Sequence, residues 1–151
     1  MSVAFRRESD EEHKEPKFDR PVLPGRNLVT QAGFAAIHAH VAAFERKVAD
    51  ATDDAARAEL QRDLRYWRQR AATAEIAPEP GAGQVNFGSH VRFKLNGREK
   101  SVQIVGSDEA NPSDSKVGFQ APLAQAMMLA EVGDILSFQG RADALEIVEI
   151  S

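Results

Sequence analysis

Cysteine is absent from this sequence of 151 residues, and the chain has a single tyrosine and a single tryptophan. The lack of thiols excludes disulfides, thiolate zinc sites and cysteine nucleophiles. The four histidines are scattered, and His38 and His40 are two residues apart on a predicted helix, so they face different directions. The sequence therefore contains no metal-binding motif of its own, and we expect no resident cofactor.

Long apolar runs are also missing. No stretch approaches the roughly 18 apolar residues of a membrane span, and no apolar segment follows the basic residues at the N-terminus. Neither membrane insertion nor secretion is indicated, so we expect a cytoplasmic protein without a membrane partner. With 42% hydrophobic residues, a chain of this length can bury one ordinary core or two small ones.

The charge is small overall but unevenly distributed. A net charge of −4 argues against strong unaided binding to nucleic acid. Within residues 57–70, however, five arginines are opposed by two acidic residues, whereas residues 85–151 hold six basic and nine acidic side chains. This pattern predicts a basic rod joined to an acidic domain, with a different partner for each. A solvated helix face rich in arginine is the alternative interpretation.

The first half of the chain is predicted to contain a tail and a helical hairpin. Residues 1–26 combine twelve charges with three prolines and lack apolar periodicity, which predicts a flexible tail. In residues 27–77 two series of apolar residues recur at spacings of three and four, separated by a short acidic stretch. This pattern is typical of two antiparallel coiled-coil helices. The apolar positions are Phe34, Ile37, Val41, Phe44 and Val48, then Leu60, Leu64, Trp67, Ala71 and Ala74.

The second half is predicted to form a compact α+β domain. Residues 78–84 are rich in proline and glycine and form a linker. In residues 85–151 the apolar period becomes two, beginning at Val85 and Phe87, and Asn96-Gly97 is a strong hairpin signal. A short helix is predicted from Pro122, followed by two more strands. The predicted fold is a short coiled-coil hairpin followed by an antiparallel sheet with one short helix.

Four stretches of the second half form a recognisable series: FGS at 87–89, IVGSDEAN at 104–111, APLAQAM at 121–127 and VGD at 132–134. Their order and spacing are similar to those of the C-terminal domain of the GreA/GreB family of bacterial transcription factors. This half therefore resembles that domain. The segment NLVTQAGF at 27–34 is similar to the start of the family's first long helix.

The resemblance implies both a fold and a partner. In that family the C-terminal domain is FKBP-like and docks at the rim of the secondary channel of RNA polymerase, and the helical arm enters the channel. Carboxylates at the arm's tip help the polymerase hold a second magnesium ion, so the transcript is hydrolysed by the polymerase itself. For this chain the resemblance implies a monomer that is not an enzyme, that has at most a shared magnesium ion, and that meets RNA or DNA only within the transcription complex.

Three sets of residues are assigned roles on this basis. The tip carboxylates with a potential magnesium contact are Asp50, Asp53 and Asp54. The residues expected to dock on the polymerase are Asp108, Glu109, Pro122 and Leu123. The basic residues expected to face nucleic acid or the channel wall are Arg62, Arg65 and Arg68.

The tip sequence DATDDAAR, residues 50–57, also has a purely structural interpretation. Thr52 can cap the second helix, which would place Asp53 and Asp54 in its first turn, where the helix dipole stabilises negative charge. Asp50 falls at the end of the first helix, where a carboxylate is mildly unfavourable. We favour capping over metal binding, because three exposed carboxylates alone make a poor magnesium site. Similarly, Asp108-Glu109 can be read as a polar loop closing two strands or as a docking contact.

The sequence departs from the family in three ways that bear on function. Roughly two dozen residues of the full-length arm are missing, which at about 1.5 Å per residue shortens each helix by about 18 Å. The family's tip motif Gly-Asp-Leu-Ser-Glu-Asn is absent, and Leu129-Ala130 replaces the usual Gly-Lys after the short helix. A Rnk-like regulator that occupies the channel without stimulating cleavage is therefore an alternative within the same class.

Two other classes of function are compatible with parts of the sequence. A peptidyl-prolyl isomerase would share the implied fold, but residues 85–151 contain no tyrosine or tryptophan to form the wall of a proline pocket. A free RNA-binding module could use the arginine-rich helix, and its binding would be sensitive to salt without any polymerase.

Overall fold

The structure, a computed structural model, describes residues 20–151. Two long helices form a hairpin that is followed by a five-stranded sheet domain. None of the helices in this described range has the length and apolarity needed to cross a membrane. In chain order the elements are β1 Asn27–Val29, α1 Gln31–Asp50, α2 Asp54–Thr73, β2 Ala74–Ile76, β3 His90–Leu95, β4 Arg98–Val105, β5 Lys116–Gly118, α3 Pro122–Met127, β6 Ile135–Phe138 and β7 Arg141–Ile150.

The hairpin forms where the apolar periodicity predicts it. Helices α1 and α2 are each 20 residues long, which corresponds to about 30 Å. Ile37 and Trp67 are buried between them, and the His40 ring stacks on the Trp67 ring at 4.1 Å. At the base of the hairpin, β1 and β2 pair in parallel, a short sheet that sequence patterns did not predict. The two strands lie side by side because β1 precedes α1 and β2 follows α2, and both of these helix ends are at the base of the hairpin.

The sheet domain has the strand order β5-β4-β3-β7-β6. The β4–β5 pair is parallel and the others are antiparallel, so the predicted antiparallel sheet is in fact mixed. The predicted turn between β3 and β4 is confirmed. Asn96 and Gly97 both have positive φ, 52° and 85°, as a two-residue hairpin turn of type I′ requires.

The core of the sheet domain lies between the inner face of the sheet and α3. Phe93, Ile104, Leu145 and Met127 are fully buried there. Burial of large apolar side chains of this kind contributes roughly 1.5–3 kcal/mol each. The edge strands of the sheet are β5 on one side and β6 on the other.

The strand predicted from Val85 begins later than expected. Val85 is fully buried, but its N–H donates to the Ala130 carbonyl at 2.8 Å and its carbonyl accepts from the Leu129 N–H at 2.7 Å. The backbone of Val85 is thus bonded to the segment that follows α3. The ladder of β3 starts only at His90, because the intervening residues turn at Gly88, whose φ is 89°.

The predicted tail is described only in part. Residues 1–19 lie outside the described residues. The remaining segment differs from a flexible tail because it contacts both halves of the molecule. The Arg20 guanidinium lies 3.9 Å from the centre of the Tyr66 ring, and the Pro24 carbonyl accepts from Gln120 Nε2 at 2.9 Å.

Candidate functional site

The tip of the hairpin is a capped turn. Asp53 is the N-cap of α2, and its Oδ2 accepts from the Ala56 N–H at 2.9 Å. The prediction that Thr52 is the cap was wrong, because the helix begins at Asp54, one residue later than that cap requires. Asp54 occupies the first turn, as predicted, where its carboxylate opposes the positive end of the helix dipole.

Arg57 closes the same turn from the other side. Its Nη1 lies 3.0 Å from Asp54 Oδ1, and its Nη2 donates to the Ala51 carbonyl at 2.6 Å. Asp50 is exposed at the end of α1. Across residues 20–151, no group of three histidine or acidic side chains is arranged to hold a metal ion. Two of the three tip carboxylates, those of Asp53 and Asp54, therefore stabilise the turn.

The predicted basic face of α2 is only partly available to a partner. Arg68 Nη2 pairs with Glu45 Oε2 of α1 at 3.0 Å, and both side chains are about half exposed. This pair bridges the two helices of the hairpin. Arg62 is half-buried and Arg65 is exposed. Arg68 thus has a role within the hairpin that was not predicted.

The acidic loop, defined here as residues 106–109, meets the base of the hairpin. Asp108 Oδ2 accepts from Arg70 Nε at 2.5 Å, and Asp108 Oδ1 accepts from the Tyr66 hydroxyl. The side chains of Arg70 and Asp108 are only 5% and 7% exposed. The expectation that Asp108 is an exposed loop charge is wrong, because its carboxylate is turned inwards and both oxygens are occupied. Its docking role stays a prediction.

Glu109 is turned inwards as well. Its Oε2 accepts from the backbone N–H groups of Thr30 and Gly106, each at 3.0 Å, and its Oε1 accepts from the Thr30 hydroxyl. The Thr30 Oγ1 accepts in turn from the Gly33 N–H at 3.0 Å and caps α1. A Cβ at Gly33 would overlap the Glu109 carboxylate, so a larger residue there would displace that carboxylate from its present position. The Glu109 carboxylate is thus bonded inside the molecule, and its predicted docking role stays a prediction.

Asn27 completes a polar network at the base of the hairpin, called the polar joint here. Its members are Asn27, Thr30, Tyr66, Arg70, Asp108 and Glu109. Asn27 Oδ1 accepts from Arg70 Nη2 at 2.6 Å, and Asn27 Nδ2 donates to the Arg70 carbonyl at 2.9 Å. Within the described residues no buried side-chain nitrogen or oxygen lacks a partner. These hydrogen bonds depend on the orientation of the hairpin relative to the sheet domain, because rotation of one against the other would break them.

Sequence reasoning missed three members of the joint, Asn27, Tyr66 and Arg70. One signal was available for two of them. Tyr66 and Arg70 are four residues apart and therefore lie on one face of α2, next to Trp67 of the predicted seam. An arginine and a tyrosine on that face indicate a buried acidic partner, although its identity cannot be read from the local sequence.

The joint changes the acidity of the tyrosine. Burial and the hydrogen bond to Asp108 raise the pKa of the Tyr66 hydroxyl to about 12, from an ordinary value of 10.0. The positive charges of Arg70 and Arg20 act in the opposite direction and are too weak to reverse the shift. The hydroxyl is therefore a stable proton donor to the carboxylate throughout the neutral range.

The other two predicted docking residues lie at the start of α3. Pro122 is exposed at the first helical position, and Leu123 is half-buried against the core. Leu123 lines an open cavity of about 500 Å³ between α3 and strands β3, β4 and β5. Its other apolar lining residues are Phe93, Leu95, Val102, Pro112 and Val117, and Lys100 lies at its edge. The cavity can accommodate an apolar side chain of a partner, and no tyrosine or tryptophan lines it.

Comparison with known proteins places the second half of the chain. The sequence model for the C-terminal domain of transcription elongation factor GreA/GreB matches residues 79–151. Transcription elongation factor GreB of Neisseria meningitidis is 32% identical over 98 residues, which cover 61% of this chain and 60% of that protein. Transcription elongation factor GreA of Bacillus licheniformis is 36% identical over 84 residues, covering 52% and 53%. The chain thus spans between half and two thirds of the length of these curated relatives.

A solved structure was also found to be similar. GreA factor homolog 1 of Thermus thermophilus aligns with a TM-score of 0.40 and 20% identity, covering 84% of this chain and 99% of that chain. A TM-score this low carries no further conclusion. On the sequence matches, residues 79–151 are similar to the C-terminal domain of the transcription elongation factors GreA and GreB.

Proposed function

We propose that this protein binds bacterial RNA polymerase at its secondary channel and modulates transcription. The observation that carries the proposal is the presence, in one chain, of a GreA/GreB C-terminal domain and a two-helix arm packed against it. The domain supplies the docking surface and the arm enters the channel. The protein catalyses no reaction itself, and any magnesium ion involved belongs to the polymerase.

The docking surface is the cavity lined by Leu123, with Pro122 beside it. An apolar cavity on a rigid sheet is a suitable receptor for one anchoring side chain, and such anchors carry most of the affinity in protein interfaces. Lys100 at the cavity edge adds a positive charge that favours an acidic rim on the partner. This assignment moves the docking role from the acidic loop, whose carboxylates are already paired, to the start of α3.

The short arm defines which kind of factor this is. Each helix extends about 30 Å, and relative to the family's layout the arm is about 18 Å shorter. Ligand distances to magnesium are near 2.1 Å and leave no tolerance for such a gap. We therefore propose the Rnk-like form of the function, in which the arm occupies the channel without stimulating transcript cleavage. The bonding of Asp53 and Asp54 within the turn supports it.

The basic residues of α2 have a smaller role in this proposal than the sequence suggested. Arg65 is exposed and Arg62 is half-buried, so these two can face the channel wall or nucleic acid within the complex. Arg68 contributes less because Glu45 neutralises it. Contact with RNA or DNA is confined to the transcription complex, since the chain carries a net charge of −4.

Binding to purified polymerase core enzyme tests the proposal. We expect Lys100→Glu to weaken the affinity of the full chain by about tenfold or more, because the exposed side chain borders the cavity and its replacement leaves the core unchanged. Leu123→Gln should act in the same direction, and Leu129→Gln is its matched control because Leu129 is exposed and does not line the cavity. Absence of binding by the unmodified chain would disprove the proposal.

A further inference from the structure

We propose that Asp108 and Glu109 are positioning residues that set the direction of the arm relative to the sheet domain. The sequence suggested that this acidic pair contacts a partner. In the structure both carboxylates are used inside the molecule, and each is bonded to a different part of the hairpin base. The geometric claim is independent of the proposed function, whereas its consequence for channel entry rests on that function.

The acidic loop holds the two helices separately. Asp108 is bonded to Arg70 and Tyr66, which lie in the C-terminal half of α2. Glu109 is bonded to both the backbone and the hydroxyl of Thr30, the N-cap of α1. Because the acidic loop is bonded both to the C-terminal half of α2 and to the start of α1, neither helix can rotate against the sheet domain without breaking a bond.

Little free space surrounds the Glu109 carboxylate. Gly33 gives the carboxylate space on the α1 side, where a Cβ would overlap it. On the other side, a Cβ at Gly106 would lie 2.6 Å from the Leu28 carbonyl oxygen and 2.8 Å from Glu109 Oε2. Glycine on both sides brings the loop and the hairpin base into direct backbone contact. The Glu109 carboxylate thus sets the distance between the acidic loop and the base of the hairpin.

The orientation at the base matters because a small rotation there produces a large displacement at the tip of the arm. With an arm of about 30 Å, a rotation of about 10° at the base moves the tip by about 5 Å, the rise of more than three helical residues. An arm that enters a narrow channel must be aimed more accurately than this. Small angular freedom at the joint therefore becomes a large positional error at the tip.

Paired charges suit this role better than apolar packing does. A buried salt bridge adds little net stability compared with apolar residues of the same shape, because desolvation offsets the Coulomb attraction. Its bonds are, however, directional, with fixed lengths and angles. Apolar side chains would hold the two halves together while allowing them to slide.

The absence of cysteine allows the arm direction to be measured with two introduced labels. Thr52→Cys at the tip and Lys94→Cys on β3 are both exposed positions outside the joint. Spin labels at these sites report the tip-to-sheet distance by pulsed electron paramagnetic resonance. We expect a single narrow distribution in the otherwise unmodified chain.

The variants Asp108→Asn and Glu109→Gln keep the side-chain shape and remove the charge. We expect each to broaden the distribution or shift its centre by about 5 Å, as the lever estimate gives. Asp114→Asn is the matched control, since Asp114 is exposed in the neighbouring turn and bonds only locally to Asn111. Distributions for Asp108→Asn and Glu109→Gln that coincide with the control would overturn the proposal.

A milder variant keeps the test valid if the charge-neutral variants fail to fold. Tyr66→Phe removes one donor to Asp108 and preserves the ring under Arg20. We expect a smaller broadening than for Asp108→Asn, with unchanged helical circular dichroism. An unchanged distribution in Tyr66→Phe, combined with misfolding of both carboxylate variants, would make the pair purely structural and would count against the proposal.

The distance measurement and the binding measurement fail independently. The spin-label distances are measured without polymerase, so their outcome does not depend on the proposed function. If the chain binds polymerase, Asp108→Asn should keep its docking affinity within about twofold, because docking uses the cavity, and should lose the ability to displace a full-length factor from the channel. Equal displacement by Asp108→Asn and by the unmodified chain would show that arm direction is irrelevant to channel entry.

Discussion

Arg70 of α2 and Asp108 of the acidic loop form a salt bridge of 2.5 Å in which both side chains are more than nine-tenths buried. Arg70 also bonds to Asn27 beside β2, and Asp108 also accepts from Tyr66. This pair connects the hairpin to the sheet domain. In our proposal these polar contacts set the direction of the arm relative to the sheet domain.

We expect Asp108→Ala to lower the free energy of unfolding by about 3–5 kcal/mol, because it leaves the Arg70 charge buried without its partner. Denaturant unfolding followed by the fluorescence of Trp67, the only tryptophan, measures this change close to the joint. Asp114→Ala is the control and should cost less than about 1 kcal/mol, since Asp114 is exposed. Equal effects of the two substitutions would contradict a buried role for Asp108.

The titration of Tyr66 gives a second, spectroscopic prediction. The chain has one tyrosine, so the absorbance of tyrosinate reports Tyr66 alone. We expect a pKa of about 12 in the folded chain, compared with 10.0 ordinarily. Asp108→Asn should lower this pKa, because the carboxylate stabilises the protonated hydroxyl, while burial keeps it above the ordinary value. A pKa near 10.0 in the unmodified chain would show that the joint is open in solution.

The same shift has a consequence for stability against pH. Because the folded chain holds the Tyr66 proton more tightly than the unfolded chain does, the contribution of this group is fully present below pH 10 and is lost between about pH 10 and 12. Comparison of denaturant midpoints for the unmodified chain and Tyr66→Phe isolates this term from other groups. The difference between the two should shrink as pH rises through that window, and a constant difference would contradict the assigned pKa.

The turn at the hairpin tip can be tested by two neighbouring substitutions. Asp53→Ala removes the N-cap of α2 and should lower the free energy of unfolding by about 1 kcal/mol. Thr52→Ala should have almost no effect, because Thr52 is exposed and does not cap the helix. Chemical denaturation of both variants measures the two changes in the free energy of unfolding. A greater destabilisation by Thr52→Ala than by Asp53→Ala would indicate that Thr52 is the N-cap, as the sequence suggested.

Leu129 carries a local strain that its replacement should relieve. Its φ is 67°, in the left-handed region that favours glycine, and the side chain is 60% exposed. We expect Leu129→Gly to be more stable than Leu129→Ala by about 1 kcal/mol, because both remove the side chain and only glycine removes the strain. Thermal unfolding of the two variants measures the difference, and equal stability would show that the strain is negligible.

The elements with local signals could be predicted from the sequence. The spacing of Phe34 and Ile37 in α1 and of Leu64 and Trp67 in α2 gave the hairpin, and Asn96-Gly97 gave the tight turn between β3 and β4. Each of these signals lies within a few residues of the element that it specifies.

The orientation of the acidic loop could not be predicted, because its partners are remote in the chain. Asp108 is 38 residues from Arg70, and Glu109 is 79 residues from Thr30. An acidic pair in a turn looks the same in the sequence whether it faces solvent or a buried arginine. The β1–β2 pair escaped prediction for the same reason, since strands of three residues have no periodicity to detect.

Cleavage of a backtracked transcript is the most direct test of whether this chain occupies the polymerase channel without supplying the catalytic tip. The measurement compares polymerase alone, polymerase with this protein, and polymerase with a full-length cleavage factor in the presence of increasing amounts of this protein. We expect no cleavage above that of polymerase alone, and progressive loss of the full-length factor's cleavage. Acceleration of cleavage that is abolished by Asp50→Asn, Asp53→Asn or Asp54→Asn at unchanged polymerase affinity would contradict this, as would undiminished cleavage by the full-length factor at saturating concentrations of this protein.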